Sequence, residues 1–198
     1  MIPRYLQITA AVLLGGVLMM SMYLWRMRGR MARPIARVSD ARPVAPPASG
    51  PSEQVTLFVA YDNPGILRAQ AATIALPAGR QQRAEGLLRA LVNIYLEKDS
   101  PHPLPAGSEI RSVYLVEPGT AVIDTNAALA DSHRSGILVE ELTIASMIQS
   151  LTANIGGLNR VKILVDGKNR DTLAGHADLS DFFDVSAVNG MVEKLGGG

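Results

Sequence analysis

An uncharged run near the start of the chain constrains the architecture more than any other feature. Residues 5–25, YLQITAAVLLGGVLMMSMYLW, carry no charged side chain. At about 1.5 Å per residue, a helix of this length extends ~32 Å, which matches the roughly 30 Å hydrocarbon core of a bilayer. Tyr5 at one end, and Tyr23 with Trp25 at the other, lie where a membrane interface favours amphipathic rings. The run therefore predicts one transmembrane helix that contacts the lipid bilayer through residues 5–25.

A cleaved signal peptide is the main alternative to a membrane anchor. Such a peptide has a shorter apolar region that ends at a small-x-small cleavage site. Here the run ends in Tyr-Leu-Trp-Arg, and no small-x-small site follows closely. The sequence also has no cysteine, which excludes disulfides, thiolate metal ligands, cysteine nucleophiles and a lipid-modified N-terminal cysteine. We expect residues 1–25 to be an uncleaved signal anchor with a single membrane span.

The segment that follows the span separates the anchor from the rest of the chain. Residues 26–53 contain five of the twelve prolines, with alanine, serine and glycine between them. This composition cannot bury a core and favours an extended, semi-rigid linker. The segment also begins with a group of arginines, Arg26, Arg28, Arg30, Arg33 and Arg37. By the positive-inside rule alone, these arginines would place the C-terminal part in the cytoplasm.

Charge is divided unequally along the chain. Residues 1–53 carry seven arginines against Asp40 and Glu53, and residues 54–198 carry twelve basic and sixteen acidic side chains. A basic leader is suited to anionic lipid headgroups, whereas an acidic body is a poor partner for nucleic acid. We therefore expect no nucleic-acid partner.

From residue 54 the pattern becomes that of a globular domain. Residues 55–61, VTLFVAY, predict a strand that ends at the turn signal Asp62-Asn63-Pro64-Gly65, and 71–77 is a weaker strand candidate. Residues 80–96 and 136–155 repeat apolar side chains at spacings of three and four, which indicates two amphipathic helices.

Three further strands complete the predicted domain. The runs 110–116 and 120–125 are joined by Glu117-Pro118-Gly119 and predict a hairpin, and 160–166 predicts a last strand. The fold class expected is α+β, with the order β-α-β-β-α-β and both helices packed on one face of a small mixed sheet. Residues 185–198 are expected to form a tail with at most a short helical turn.

Four segments carry a resemblance to a known family. They are LLRALVNIYLE, LPAGSEIRSVYLVEPGTAVIDTN, EELTIASMIQSLTANIGGLNRVKILVDGK and TLAGHADLS. Together they resemble the GerMN domain of sporulation and spore germination proteins, over residues 54–184. The resemblance implies an extracytoplasmic, membrane-tethered assembly or interaction module, similar in fold to ring-building modules of sporulation machinery, rather than an enzyme. This chain has one copy where GerM has two, and it has no lipobox cysteine.

The resemblance and the arginines disagree about which side of the membrane the domain occupies. We follow the resemblance, because the positive-inside rule has exceptions, and expect an extracytoplasmic domain in the bacterial cell envelope. Its partners would be other envelope proteins or further copies of itself. The alternatives are a peptidoglycan-associated enzyme, a cell-wall-binding domain or a small-ligand receptor.

The residues that could carry chemistry form no recognisable constellation in the sequence. His102, His133 and His176 lie in separate predicted loops and lack the spacing of helix-borne metal ligands, so we expect unpartnered surface histidines. Glu140 and Glu141 are adjacent on a helix, diverge by about 100° and are expected on its solvent face. No catalytic, cofactor-binding or metal-ligating residue is predicted.

The most polar stretch is RVKILVDGKNRDTLAGH, residues 160–176. A calcium loop of the EF-hand type that began at Asp166 would need an oxygen ligand at Lys168 and glycine at Asp171, so this reading fails. Asp166-Gly167 after an apolar strand is ordinary turn chemistry. We expect a positive φ at Gly167.

Overall fold

The computed structural model describes Met19, Met20 and Met22, which are helical and exposed, and residues 51–116 and 118–196. Among these residues, no helix is both long and apolar enough to cross a bilayer. The predicted span 5–25, apart from the three methionines, and linker residues 26–50 lie outside the described ranges. The anchor and the linker therefore stay predictions.

The domain begins with a long antiparallel hairpin. Strands β1 (Ser52–Tyr61) and β2 (Ile66–Ala75) pair from Ser52 with Ala75 to Tyr61 with Ile66, around the turn expected at residues 62–65. Strand β1 starts inside the segment predicted as linker. The weak candidate at 71–77 covers only the second half of β2, which begins at Ile66. The side chains of β2 are half-buried or exposed throughout, so the sequence shows little hydrophobic contrast there.

A second sheet has four strands in the order β3-β4-β5-β6. They are β3 (Ile110–Val116), β4 (Thr120–Thr125), β5 (Arg160–Val165) and β6 (Phe183–Asp184). The β4–β5 pair is parallel and the other two pairs are antiparallel, so this sheet is mixed, as expected. The expectation of a single sheet is wrong, since β1 and β2 form a separate one. The two-residue strand β6 had no sequence signal.

Within residues 51–116 and 118–196, four helices lie between or after these strands. They are α1 (Arg80–Leu96), α2 (Ala127–Asp131), α3 (Ile137–Asn154) and α4 (Val185–Gly196). Helices α1 and α3 confirm the two amphipathic patterns. Helix α2 is one short turn capped by Asn126, whose side chain accepts from the Leu129 N–H. Helix α4 replaces most of the tail predicted to hold at most a helical turn.

The two long helices accompany different strands. Helix α3 runs beside β1 of the hairpin, whereas α1 runs beside β3 of the mixed sheet, and α1 and α3 contact each other. The apolar side chains of both sheets and both helices meet in one core, which includes Leu57, Leu88, Ile123 and Ile148. The sequence periodicity identified the buried faces but not the strand that each helix would accompany.

The turn after β5 has the geometry expected from Asp166-Gly167. Asp166 has φ 50° and Gly167 has φ 70°, and Val165 and Lys168 exchange two backbone hydrogen bonds of 3.0 Å. The Gly167 N–H also donates to Asp124 Oδ1 at 2.7 Å. Positive φ at both central residues defines the type I′ turn, so the expectation for Gly167 is confirmed.

Candidate functional site

Two of the three histidines lie in the interior, contrary to the expectation of a surface location. His102, in the loop after α1, is fully buried, and His133, in the loop between α2 and α3, is 8% exposed. Both rings lie over the first turns of α3. Sequence spacing could not find this arrangement because the two loops are far apart along the chain and meet only through the packing of α1 and α3.

The two rings join a chain of hydrogen-bonded groups that we call the histidine network: Asp62, His102, Thr143, His133 and Arg134. His102 Nδ1 lies 2.6 Å from Asp62 Oδ1, and its Nε2 lies 2.6 Å from Thr143 Oγ1. His133 Nε2 approaches the same Thr143 oxygen at 2.8 Å. Its Nδ1 lies 2.7 Å from the Arg134 carbonyl oxygen, and the Arg134 guanidinium pairs with Asp62 Oδ2.

The order carboxylate, imidazole, hydroxyl is also that of an acid–base–nucleophile triad. A nucleophile, however, must reach a substrate, and Thr143 is 1% exposed while His102 is fully buried. Thr143 Oγ1 also lies 3.1 Å from the Val139 carbonyl oxygen of its own helix, to which it can donate. Among the described residues, protein groups therefore enclose the Thr143 hydroxyl.

The number of available protons limits the hydrogen bonds that the histidine network can form. The Asp62 carboxylate and the Arg134 carbonyl can only accept, so each histidine directs an Nδ1–H outward and a lone pair at Nε2 toward Thr143. Thr143 has one hydroxyl proton for three acceptors, these two lone pairs and the Val139 carbonyl oxygen, so it can satisfy only one of them at a time. Burial lowers the pKa of His102 and of His133 and so favours this neutral state, although the Asp62 carboxylate opposes the shift at His102.

The Asp62 side chain is the negatively charged group of the histidine network. Burial favours the neutral acid, but hydrogen bonds from Arg134 and His102 outweigh it and lower the pKa of the Asp62 carboxyl below its usual value. The carboxylate therefore ties the β1–β2 turn to two loops that come from other parts of the chain.

Glu140 is buried in a second polar cluster, which corrects the expectation that it lies on the solvent face of its helix. Its Oε2 accepts backbone N–H bonds from Ala174, His176 and Ala177 at 3.0, 3.0 and 2.9 Å. Its Oε1 accepts from the Gly136 N–H at 3.1 Å and lies 2.9 Å from His176 Nδ1.

The bonds to Glu140 stabilise its ionised form. Although burial alone would raise the pKa of this carboxyl, the hydrogen bonds from Ala177, His176, Ala174 and Gly136 lower it to about 2. Glu140 thus closes the N-terminus of α3 and fixes the loop 174–177 to it. A sequence signal was present, because Glu140 lies four residues before Ile144 on the apolar stripe of α3.

Lys162 holds the next segment of the same connection. It lies in the middle of β5, is 6% exposed, and its Nζ donates to the Leu179 and Ser180 carbonyl oxygens at 2.6 Å each. A buried ammonium group needs such partners, since an unpaired one would be costly. Together with Glu140 it organises the connection between β5 and β6.

Within residues 51–116 and 118–196, no group of three histidine, aspartate or glutamate side chains is placed to hold a metal ion. The histidine network and the Glu140 cluster both direct their polar atoms toward the protein. What they can do chemically is hold protons and fasten loops to α3.

Comparison with known proteins identifies the fold. A family model named Germane and described as "Sporulation and spore germination" matches residues 57–171, more than half of the chain. The chain belongs to the Germane family. The match begins in β1 and ends at Asp171, just before the loop 174–177 that Glu140 holds, so it spans most of the core of the domain. No curated protein matches the sequence.

Solved structures agree with this assignment at the level of the fold. The tandem GerMN domains of the sporulation protein GerM from Bacillus subtilis match with a TM-score of 0.52 and 20% identity, covering 68% of this chain and 46% of that one. A predicted lipoprotein from Clostridium perfringens matches with a TM-score of 0.47 and 22% identity, covering 72% and 93% of the two chains. The family match together with the GerM structure confirms the resemblance to GerMN domains.

Proposed function

We propose that this Germane-family protein is a membrane-anchored, non-enzymatic interaction module of the bacterial cell envelope, with its domain outside the cytoplasm. The observation that carries the proposal is the use made of the polar side chains. Asp62, His102, Glu140 and Lys162, which could serve chemistry elsewhere, all bond to loops of their own domain. A domain that uses such residues to hold its loops in place is suited to presenting a surface of defined shape.

Among the described residues, the triad-like order of Asp62, His102 and Thr143 favours an enzyme. Peptidoglycan hydrolysis would require Thr143 or its neighbours to reach a polymer, and the enclosure of both His102 and Thr143 argues against it. The purified full chain should release no muropeptides from isolated cell walls. Release that disappears in a Thr143→Val variant would overturn the non-enzymatic assignment.

The anchor is supported by the uncharged run 5–25, whose length matches a bilayer. The arginines that follow it favour a cytoplasmic domain, whereas the family resemblance favours export. A C-terminal fusion to alkaline phosphatase, which folds to an active form only after export, should be active in cells. A matched fusion to a cytoplasmic fluorescent protein should be dark. The opposite pair of results would place the domain in the cytoplasm and refute this part of the proposal.

An interaction module should have neighbours within crosslinking distance in its own membrane. Treatment of intact cells with an amine-reactive crosslinker should yield products larger than the 21.1 kDa chain. Products that contain the chain should persist when cell walls are digested before electrophoresis. The absence of any such product would contradict the proposal, whichever surface is used.

A further inference from the structure

The edges of the two sheets differ in how well they are covered, and this difference points to a contact surface. A strand at the edge of a sheet presents unpaired N–H and C=O groups that can pair with another chain. Among the described residues, three of the four sheet edges are covered or very short. The fourth, β2, is ten residues long and open.

The edge of β1 is closed by side chains from two helices. The Thr56, Phe58 and Ala60 N–H groups donate to Asn154 Oδ1, Ser150 Oγ and Tyr95 Oη at 3.2, 2.8 and 2.8 Å. Asn154 Nδ2 also donates to the Thr56 carbonyl oxygen at 2.7 Å. No backbone group of another chain could take these positions without displacing α3.

The edges of the four-stranded sheet are also protected. On β3, Arg89 of α1 donates to the Ile110 and Arg111 carbonyl oxygens at 3.2 Å each, and the Val113 N–H donates to Glu85 Oε1 at 3.3 Å. At the opposite side β6 has only two residues. A short edge strand offers too few groups for stable pairing.

The open edge of β2 follows from its register with β1. Residues of an antiparallel pair alternate between those that bond to each other and those whose backbone groups point away. Because the N–H groups of Thr56, Phe58 and Ala60 point away from β2, their partners Ala71, Ala69 and Leu67 direct theirs to the opposite, free side. Continuing the alternation adds Thr73 and Ala75. Within residues 51–116 and 118–196, no hydrogen bond reaches this side of β2.

The side chains of β2 leave the edge accessible. Ala69, Ala71, Thr73 and Ala75 are small and exposed. The strand contains no proline or lysine, the residues that usually protect an edge, and its one charge, Arg68, stacks on Tyr61 at 4.9 Å. Helix α4 contacts β2 through half-buried apolar side chains but makes no hydrogen bond to it among the described residues.

We propose that β2 pairs in antiparallel fashion with β2 of a second copy of this chain, with Ala71 on the two-fold axis. This register uses the whole free edge and places Leu67 opposite Ala75 and Ala69 opposite Thr73 of the other copy, giving about ten hydrogen bonds. It places Arg68 opposite Ile74, so no like charges meet. The resulting sheet ends on both sides at β1, whose edge is closed, so pairing stops at a dimer. The inference rests on the proposed function in that it names the surface an assembly module would use.

The absence of cysteine from the chain allows a direct test of this register. Directly opposed residues in a hydrogen-bonded pair have Cα atoms about 5.5 Å apart, within disulfide range. Full-length chain carrying Ala71→Cys should therefore oxidise to a dimer in its membrane. Ala69→Cys and Thr73→Cys chains lie about 14 Å from their own copies and should form at least about fivefold less dimer alone. A mixture of the latter two chains should crosslink. Equal crosslinking at all three positions, or none, would overturn the proposal.

A charge exchange provides a second test that does not depend on oxidation. The double variant A69K/T73K places lysine opposite lysine on both sides of the two-fold axis and should abolish the dimer in detergent, measured by light scattering. The matched double variant A69K/T73E places opposite charges together and should restore it. Both changes are at exposed positions, so the melting temperature should stay within a few degrees. A wild-type chain that is monomeric at micromolar concentration, or a dimer that survives both variants, would refute β2 pairing.

The outcomes separate this inference from the proposed function. Amine crosslinking to envelope proteins without any dimer through residue 71 would remove β2 pairing and leave the interaction module standing. A dimer through residue 71 in a chain whose phosphatase fusion is silent would preserve the dimer and refute the envelope location.

Discussion

Glu140 shows how one buried charge can position a loop. Its two carboxylate oxygens accept four backbone N–H groups, one at the start of α3 and three from residues 174–177, and contact the His176 ring. A buried carboxylate is tolerated only when its oxygens are satisfied in this way. The position is therefore set by hydrogen bonding rather than by solvent exposure.

A Glu140→Gln substitution should lower the free energy of unfolding by about 2–4 kcal/mol, because the amide nitrogen would face N–H donors and could not accept from them. The neighbouring Glu141→Gln change is a matched control, since the half-buried Glu141 side chain makes no hydrogen bond among the described residues, and should stay within about 0.5 kcal/mol. Urea denaturation of both variants measures the difference. Equal effects would contradict the role assigned to Glu140.

At the scale of elements, the structure is organised by how strands end. The turn at residues 165–168 closes β5, and helix side chains close β1 and β3. These devices lie at positions that hydrophobic periodicity does not report, because they depend on backbone conformation and on polar side chains.

Gly167→Ala should destabilise the domain by about 1 kcal/mol or more, since a Cβ at φ 70° is strained even though nothing lies closer than 4.0 Å. Gly156→Ala is the control, because Gly156 lacks a positive φ and has open space around it. Thermal melting should show a lower midpoint for the first variant and an unchanged or slightly higher one for the second. A melting temperature unaffected by Gly167→Ala would argue against the turn geometry.

Asn154→Ala removes the two hydrogen bonds that close β1 at Thr56. We expect a loss of about 1–2 kcal/mol in the free energy of unfolding. Gln149→Ala on the same helix removes only a surface bond to Asn189 and should cost less than about 0.5 kcal/mol. Hydrogen exchange should also quicken at the Thr56 N–H in the first variant alone. Unchanged exchange there would show that Asn154 does not protect the edge.

For the whole molecule, the buried titratable groups predict acid sensitivity. His102 and His133 have lower pKa values folded than unfolded, so the stability they contribute is complete above about pH 6.5 and declines as the pH falls below it. Glu140, with a folded pKa of about 2 against 4.5, adds a further loss as the pH falls from 4.5 toward 2.

Urea unfolding at pH 7.5, 5.5 and 3.5 should therefore give steadily lower free energies. The Glu140→Gln variant should lose less than the wild type between pH 5.5 and 3.5, because it lacks the carboxyl that titrates there. Stability that rises on acidification to pH 5.5 would contradict the neutral histidine pair. The Asp62 carboxylate, whose own pKa is lowered, adds to the loss in the acidic range.

Much of the domain followed from the sequence, because strong patterns are local. The two long helices, the hairpin at 110–125, the strand at 160 and the turn at Gly167 each depend on neighbours within one element. Strand β2 gave a weak signal because neither of its faces is well buried. Helix α4 is longer than the predicted helical turn, although Gly190 lies within it.

The sequence alone determined the element types, the apolar faces, the absence of cysteine chemistry and the family, since each depends on composition or short-range spacing. Only the tertiary structure decided that the strands divide into two sheets, that His102 and His133 meet at Thr143, and that Glu140 faces inward. Those outcomes depend on which distant segments pack together. The burial energy that selects one packing is shared over the whole core and is not assigned to any single stretch of the chain.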